Sequence, residues 1–171
     1  FSKDTVYTTP SYGGAPEDVR IDGSSVYIPF SWSYFYYGFN YGQQWVAVSH
    51  DNGKTFANVK LSVPRAYNNN NDMTLITLGE NQPPRAASSN QNVYILGYDY
   101  PEKNKGRIYI ARSANGGTTF FEPQTIVFDT GGIGIDFPFA SITSKGKYVY
   151  VTCAGAGNKV YVISSSDYGV T

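Results

Sequence analysis

The chain has 171 residues, with 13 Lys plus Arg against 13 Asp plus Glu, and only 15% of it is charged. A zero formal net charge removes the electrostatic case for nucleic acid or an anionic membrane surface, and Glu, Lys, Leu and Ala are too sparse for long amphipathic helices. Polarity comes instead from Asn, Ser, Thr, Gly and 16 Tyr, residues that strands and turns accept readily.

In chain order, β-rich runs are expected near 3–8, 17–22, 25–31 and 44–49. Between the last two, the stretch from Trp32 to Gln43 reads as a loop. It carries Trp32, Tyr34, Tyr36, Tyr37 and Tyr41. Such aromatics can stack on sugar C–H surfaces, or pack against a blade or a second subunit. Ser49-His50-Asp51-Asn52-Gly53-Lys54-Thr55-Phe56 then reads as a tight turn. Its Asp can accept turn N–H groups, its Gly can take positive φ, and the following aromatic leads into a strand at 58–63.

A long connection from Pro64 to Pro83 follows, with Asn68 to Asn71 and Asp72 in it. It reads as a solvated loop whose oxygen-rich run could also suit calcium. Strands at 84–88, 92–98 and 107–112 precede Ser113-Ala114-Asn115-Gly116-Gly117-Thr118-Thr119-Phe120, a second copy of the turn. Next come a strand at 123–128 and a connection from Asp129 to Asp136. The glycines of that connection lack the Lys-Ser/Thr of a phosphate-binding loop. Strands at 138–142, 148–153 and 159–165 lead to Ser165-Ser166-Asp167-Tyr168-Gly169-Val170-Thr171, a third copy.

Three in-phase turns of the form Ser-x-Asp/Asn-x-Gly-x-Thr define an internal repeat: 1–55, 56–119 and 120–171. The conserved positions within the chain are Ser49, Asp51, Gly53, Thr55 and Phe56; Ser113, Asn115, Gly117, Thr119 and Phe120; and Ser165, Asp167, Gly169 and Thr171. Phe1 aligns with Phe56 and Phe120, so the segment from Lys3 is expected to be a fourth strand separated from its blade. The last repeat is expected to lack its own. The start at Phe1 suggests a chain processed or cut from something longer.

This pattern resembles the Asp-box, or bacterial neuraminidase, repeats of sialidase-like β-propellers. The resemblance implies an all-β fold of three four-stranded antiparallel blades, half of a six-bladed ring. Partners are then expected to be the remaining blades of a longer chain, or a second copy. The turns imply a structural role for Asp51 and Asp167. Antiparallel connectivity places them on one face, and places the long connections on the other.

Binding candidates therefore gather on that second face: Trp32, Tyr34, Tyr36, Tyr37, Tyr41, Asp72, Arg85, Tyr100 and Asp136, directed at glycan or a protein surface. A structural role is the other reading of this face, and the rival is a sialidase-like hydrolase with catalytic residues partly outside this stretch. The resemblance would then require three arginines, a Tyr–Glu nucleophile and an Asp acid. The chain offers Arg20, Arg65, Arg85, Arg107 and Arg112 but no Arg-Ile-Pro. A lone His50 and a lone Cys153 exclude an internal disulfide and leave Ser/His or His-cluster chemistry without partners. Cys153 reads as a buried thiol. No cofactor, metal, nucleic acid or membrane span is expected. The Tyr/Asn/Thr-rich surface suggests an extracellular or cell-surface setting.

Overall fold

A computed structural model describes Ala15, Pro16 and residues 18–36, 39–61, 85–102, 105–128, 136–155 and 159–171. All regular structure among them is strand. The first sheet contains β1 (Ala15–Pro16), β2 (Arg20–Asp22), β3 (Ser25–Tyr36), β4 (Phe39–Ser49) and β5 (Ala57–Lys60). The second contains β6 (Arg85–Ser89), β7 (Asn92–Glu102), β8 (Lys105–Ser113) and β9 (Gln124–Phe128). The third contains β10 (Asp136–Lys145), β11 (Tyr148–Gly155) and β12 (Lys159–Ser165). Every pairing is antiparallel and between strands that follow one another, apart from β1, which joins β2 along β3.

The three sheets repeat one register. Val26, Val93 and Val149 pair with Ser49, Ser113 and Ser165. One strand further in, Tyr27, Tyr94 and Tyr150 pair with Arg20, Ala87 and Thr143. Each sheet is thus the same blade. The blades stack face to face in chain order, as successive blades of a β-propeller do. One core lies between the first two and contains Tyr27, Val46, Val48 and Leu61 against Ala86, Val93, Ile95 and Ala111. The other lies between the second and third, with Tyr94, Leu96, Ile108 and Ile110 against Ile142, Val149, Val151 and Cys153.

Burial follows from this stacking. The second blade is covered on both faces, so Val93-Tyr94-Ile95-Leu96 and Ile108-Tyr109-Ile110-Ala111 are buried without interruption. A strand between two apolar layers reads as a continuous apolar run. In β12 the residues alternate between exposed and half-buried, the pattern of a strand with one face covered.

Side-chain bonds tie neighbouring blades. Asp18 accepts a bond from the Ala86 N–H at 2.8 Å, and the Ser89 hydroxyl accepts one from the Gly146 N–H at 2.8 Å. Glycines set the spacing. A Cβ on Gly97 would lie 2.6 Å from the Tyr109 ring and 2.7 Å from Gln44 Oε1, so the first two blades approach there only because a hydrogen stands in place of a side chain.

The strands differ from the sequence reading in extent. The stretch from Trp32 to Gln43, read as a loop, is mostly hairpin: Trp32 pairs with Gln43, Tyr34 with Tyr41 and Tyr36 with Phe39. Aromatic residues favour strands once a partner is aligned, and the ladder runs as far as Tyr36 and Phe39. The expected strand at 3–8 lies outside the described residues.

Candidate functional site

The blades present two ends. At one, the turn after each blade's third strand passes through a pair of left-handed residues: Asn52 and Gly53, Gly116 and Gly117, Tyr168 and Gly169. Glycine takes the second place of every pair at no steric cost; Asn52 and Tyr168, in the first place, do not, and side chains hold the turns. In the first turn the Asp51 carboxylate does so. Its Oδ1 accepts from Lys54 N at 3.0 Å and Thr55 N at 2.9 Å, and Oδ2 accepts from the Thr55 hydroxyl at 2.7 Å. The Ser49 hydroxyl donates to Oδ1 at 2.8 Å and accepts from Gly53 N at 2.9 Å.

The third turn is the same construction. Asp167 accepts from Val170 N, Thr171 N and the Thr171 and Ser165 hydroxyls, and Ser165 accepts from Gly169 N. In the second turn Asn115 takes the place of Asp. Its Oδ1 accepts from Thr119 N at 3.0 Å and the Ser113 hydroxyl at 2.8 Å, while Nδ2 donates to the Thr119 hydroxyl at 2.9 Å. The threonine hydroxyl therefore reverses its role from donor to acceptor.

These bonds fix the charge state. The Thr55 hydroxyl, then the Thr55 N–H and Ser49, hold the Asp51 carboxyl well below the usual carboxylate range. Ser165, then Thr171, do the same for Asp167. Hydrogen bonds to an ionised carboxylate stabilise that form. Each turn is also bonded to the first-to-second-strand turn beside it: Asn52 N to Ser24 O, Gly116 N to Gln91 O and Tyr168 N to Lys147 O, all at 2.8 Å. His50 bonds the Ser25 hydroxyl at 3.0 Å. Phe56 lies close to Gly53, and Phe120 packs on the core between the first two blades. The Ser, Asp or Asn and Thr side chains that make each motif are engaged within it.

The opposite end carries the binding candidates. Trp32, Tyr34 and Tyr36 are in β3 and Tyr41 is in β4, strand positions rather than the loop positions expected. Tyr100 is in β7 next to a register shift between Asp99 and Glu102. Asp136 opens β10 opposite Ala154, also beside a register shift, and so belongs to a strand rather than to the connection before it. Arg85 is the half-buried first residue of β6, opposite Leu96. Tyr37 and Asp72 lie outside the described residues.

Of the arginines, Arg85 sits at the inner strand's start, whereas Arg20 is two register positions further along its own inner strand, in the slot of Ala87. The slot equivalent to Arg85 in the first blade holds Asp18, whose carboxylate bonds the next blade. Arg112 lies 4.5 Å over the Phe121 ring, a cation–π contact at the far end of its strand. The described residues thus bring no three arginines together at one register level. Among them, no three His, Cys, Asp or Glu side chains are placed to hold a metal, and no helix is long and apolar enough to cross a membrane.

Sequence reasoning missed Gln44. It is fully buried, and neither amide atom has a partner among the described residues. It occupies the register slot of Ile108, so a polar residue sits where the repeat places an apolar one.

No family model matches the chain, and no curated protein matches it. Among solved structures it is similar to a GH32 beta-fructofuranosidase from Bombyx mori, determined as a mutant in complex with sucrose, at 13% identity and a TM-score of 0.42. The match covers 85% of this chain and 32% of that one, so the chain spans about a third of that protein's length.

Proposed function

We propose that the chain is an extracellular recognition module that binds glycan at the blade end opposite the Ser-x-Asp/Asn turns. One observation carries this reading: the two ends are chemically unequal. The turn end engages its own polar groups. The other end extends into the long β3–β4 hairpin, whose strands hold Trp32, Tyr34, Tyr36 and Tyr41, with Arg85 at the start of the neighbouring inner strand. Aromatic rings offer apolar faces to sugar C–H groups, and tyrosine adds a hydroxyl for the ring oxygens. A hairpin held by a continuous ladder loses less entropy on binding than a free loop would.

A glycan array probed with the wild-type chain and with the double variant Tyr34→Ala/Tyr36→Ala tests this. The expected result is binding to a defined group of glycans and a loss of about tenfold or more in the variant. Equal binding by both would assign these residues to packing. Release of free sugar from a bound glycan by the wild-type chain would move the reading to a hydrolase.

A further inference from the structure

Two of the three turns contain an Asn-Gly pair: Asn52-Gly53 in the first and Asn115-Gly116 in the second. In such a pair the glycine nitrogen can attack the side-chain carbonyl carbon of the asparagine, and glycine has no side chain to hinder the approach. The pairs occupy different places in the motif. Asn115 stands in the slot that Asp51 fills in the first turn, whereas Asn52 follows that slot.

The offset of one residue decides what each amide does. Both asparagines are exposed, so access to solvent does not separate them; bonding does. Asn115 is part of its turn's framework. Its Oδ1 accepts from the Ser113 hydroxyl at 2.8 Å and from Thr119 N at 3.0 Å, and its Nδ2 donates to the Thr119 hydroxyl at 2.9 Å. The attacking nitrogen is held as well. Gly116 N donates to Gln91 O at 2.8 Å, and Gly116 is buried with the His50 ring against it.

Asn52 has none of this framework. Its side chain makes no hydrogen bond among the described residues. Its φ of 61° is left-handed, a conformation that costs an L-residue energy, so rotation toward attack leaves a strained state rather than a relaxed one. Gly53 N donates to the Ser49 hydroxyl at 2.9 Å, and that bond must break before the nitrogen can reach Cγ.

We propose that Asn52 is a site of spontaneous deamidation and that the second turn protects Asn115 from the same reaction. The Gly53 nitrogen attacks Cγ of Asn52. The N–Cγ bond forms, the Cγ–Nδ2 bond breaks, and Nδ2 departs as ammonia with the proton from the Gly53 nitrogen. Water then opens the cyclic imide. Opening at one carbonyl leaves an ordinary aspartate; opening at the other leaves an isoaspartyl link, which carries the main chain through Cβ and Cγ. Water is consumed and ammonia released, and nothing is oxidised or reduced. Either product sets a new carboxylate beside that of Asp51. The isoaspartyl product also lengthens the main chain inside a turn anchored by Asn52 N to Ser24 O at 2.8 Å.

Peptide mapping by mass spectrometry, on the 171-residue chain kept at mildly alkaline pH with and without urea, tests the proposal. Tryptic peptides 21–54 and 113–145 carry the two sites separately. In the folded chain Asn52 is expected to convert about tenfold or more faster than Asn115, whose side chain must give up its bonds before Cγ can meet the nitrogen. In urea the two rates should converge. Thr119→Val removes the acceptor of the Nδ2 bond. With its far-ultraviolet circular dichroism unchanged, it should speed conversion of Asn115 about fivefold and leave Asn52 as it was. Equal rates at the two sites in the folded chain would overturn the proposal. So would an Asn52 that keeps its amide in the folded chain while losing it in urea. A rate ratio as large in urea as in the folded chain would assign the difference to flanking sequence and overturn it too, as would a folded Thr119→Val chain in which Asn115 converts no faster.

Discussion

The second and third blades share a register and a pattern of apolar residues, yet the same slots have different surroundings. Tyr94, Ile108 and Ile110 are enclosed, while Tyr150, Val160 and Val162 stand in solvent. A repeat sequence therefore marks which residues can form a junction. The presence of a neighbour decides whether those residues contribute to stability, because the hydrophobic gain scales with area removed from water, at about 25 cal/mol per Å².

The largest test of that difference substitutes equivalent residues. Ile108→Ala should cost about 2–5 kcal/mol through a cavity between blades. Val160→Ala should stay within about 0.5 kcal/mol when measured in dilute monomer. Urea midpoints with unchanged slopes would report both, and equal losses would break the comparison.

A second test separates backbone strain from junction packing at two left-handed glycines. Gly169 has φ +72°, and an added Cβ would lie 3.2 Å from the Tyr94 ring. Gly146 has φ +57° with nothing within 4 Å. Gly146→Ala should cost about 1 kcal/mol for the backbone alone. Gly169→Ala should cost about 2–3 kcal/mol, since the ring beneath it must also move.

The smallest effect is acid sensitivity. The folded-state pKa values of Asp51 and Asp167 lie below their ordinary value of 3.8. Their contribution to stability is therefore fully present above about pH 4 and is lost as pH falls through the range below it. The second turn, built on Asn115, cannot titrate there. Asp51→Asn/Asp167→Asn should flatten the decline of urea midpoint between neutral and acid pH. A decline as steep as that of the wild type would place the acid sensitivity elsewhere. Both residues are half-buried at the protein surface, so salt should weaken the effect in part.

The turns and central strands were legible in the sequence because their causes are local. A serine, a short carboxyl or amide side chain, a glycine and a threonine at fixed spacing can satisfy one another without the rest of the chain. The long hairpin was not. Ser33, Gly38, Asn40 and Gly42 look like turn residues in isolation, and only alignment with a partner strand makes the run from Ser31 to Tyr36 extended. Gln44 was equally opaque, since a polar residue in an alternating strand reads as solvent-facing until a second blade covers it. The candidate site was legible only as a choice of blade end. Which of Trp32, Tyr34, Tyr36, Tyr41, Arg85, Tyr100 and Asp136 meet depends on contacts between residues far apart in the chain, and local patterning does not contain them.

Cys153 gives the second junction a built-in clock. Its thiol is buried in the core shared by the second and third blades, and burial pushes its pKa up. A disulfide reagent reacts with thiolate and needs access. Its rate on the folded chain would therefore count how often the last blade lifts from its neighbour, with no label introduced.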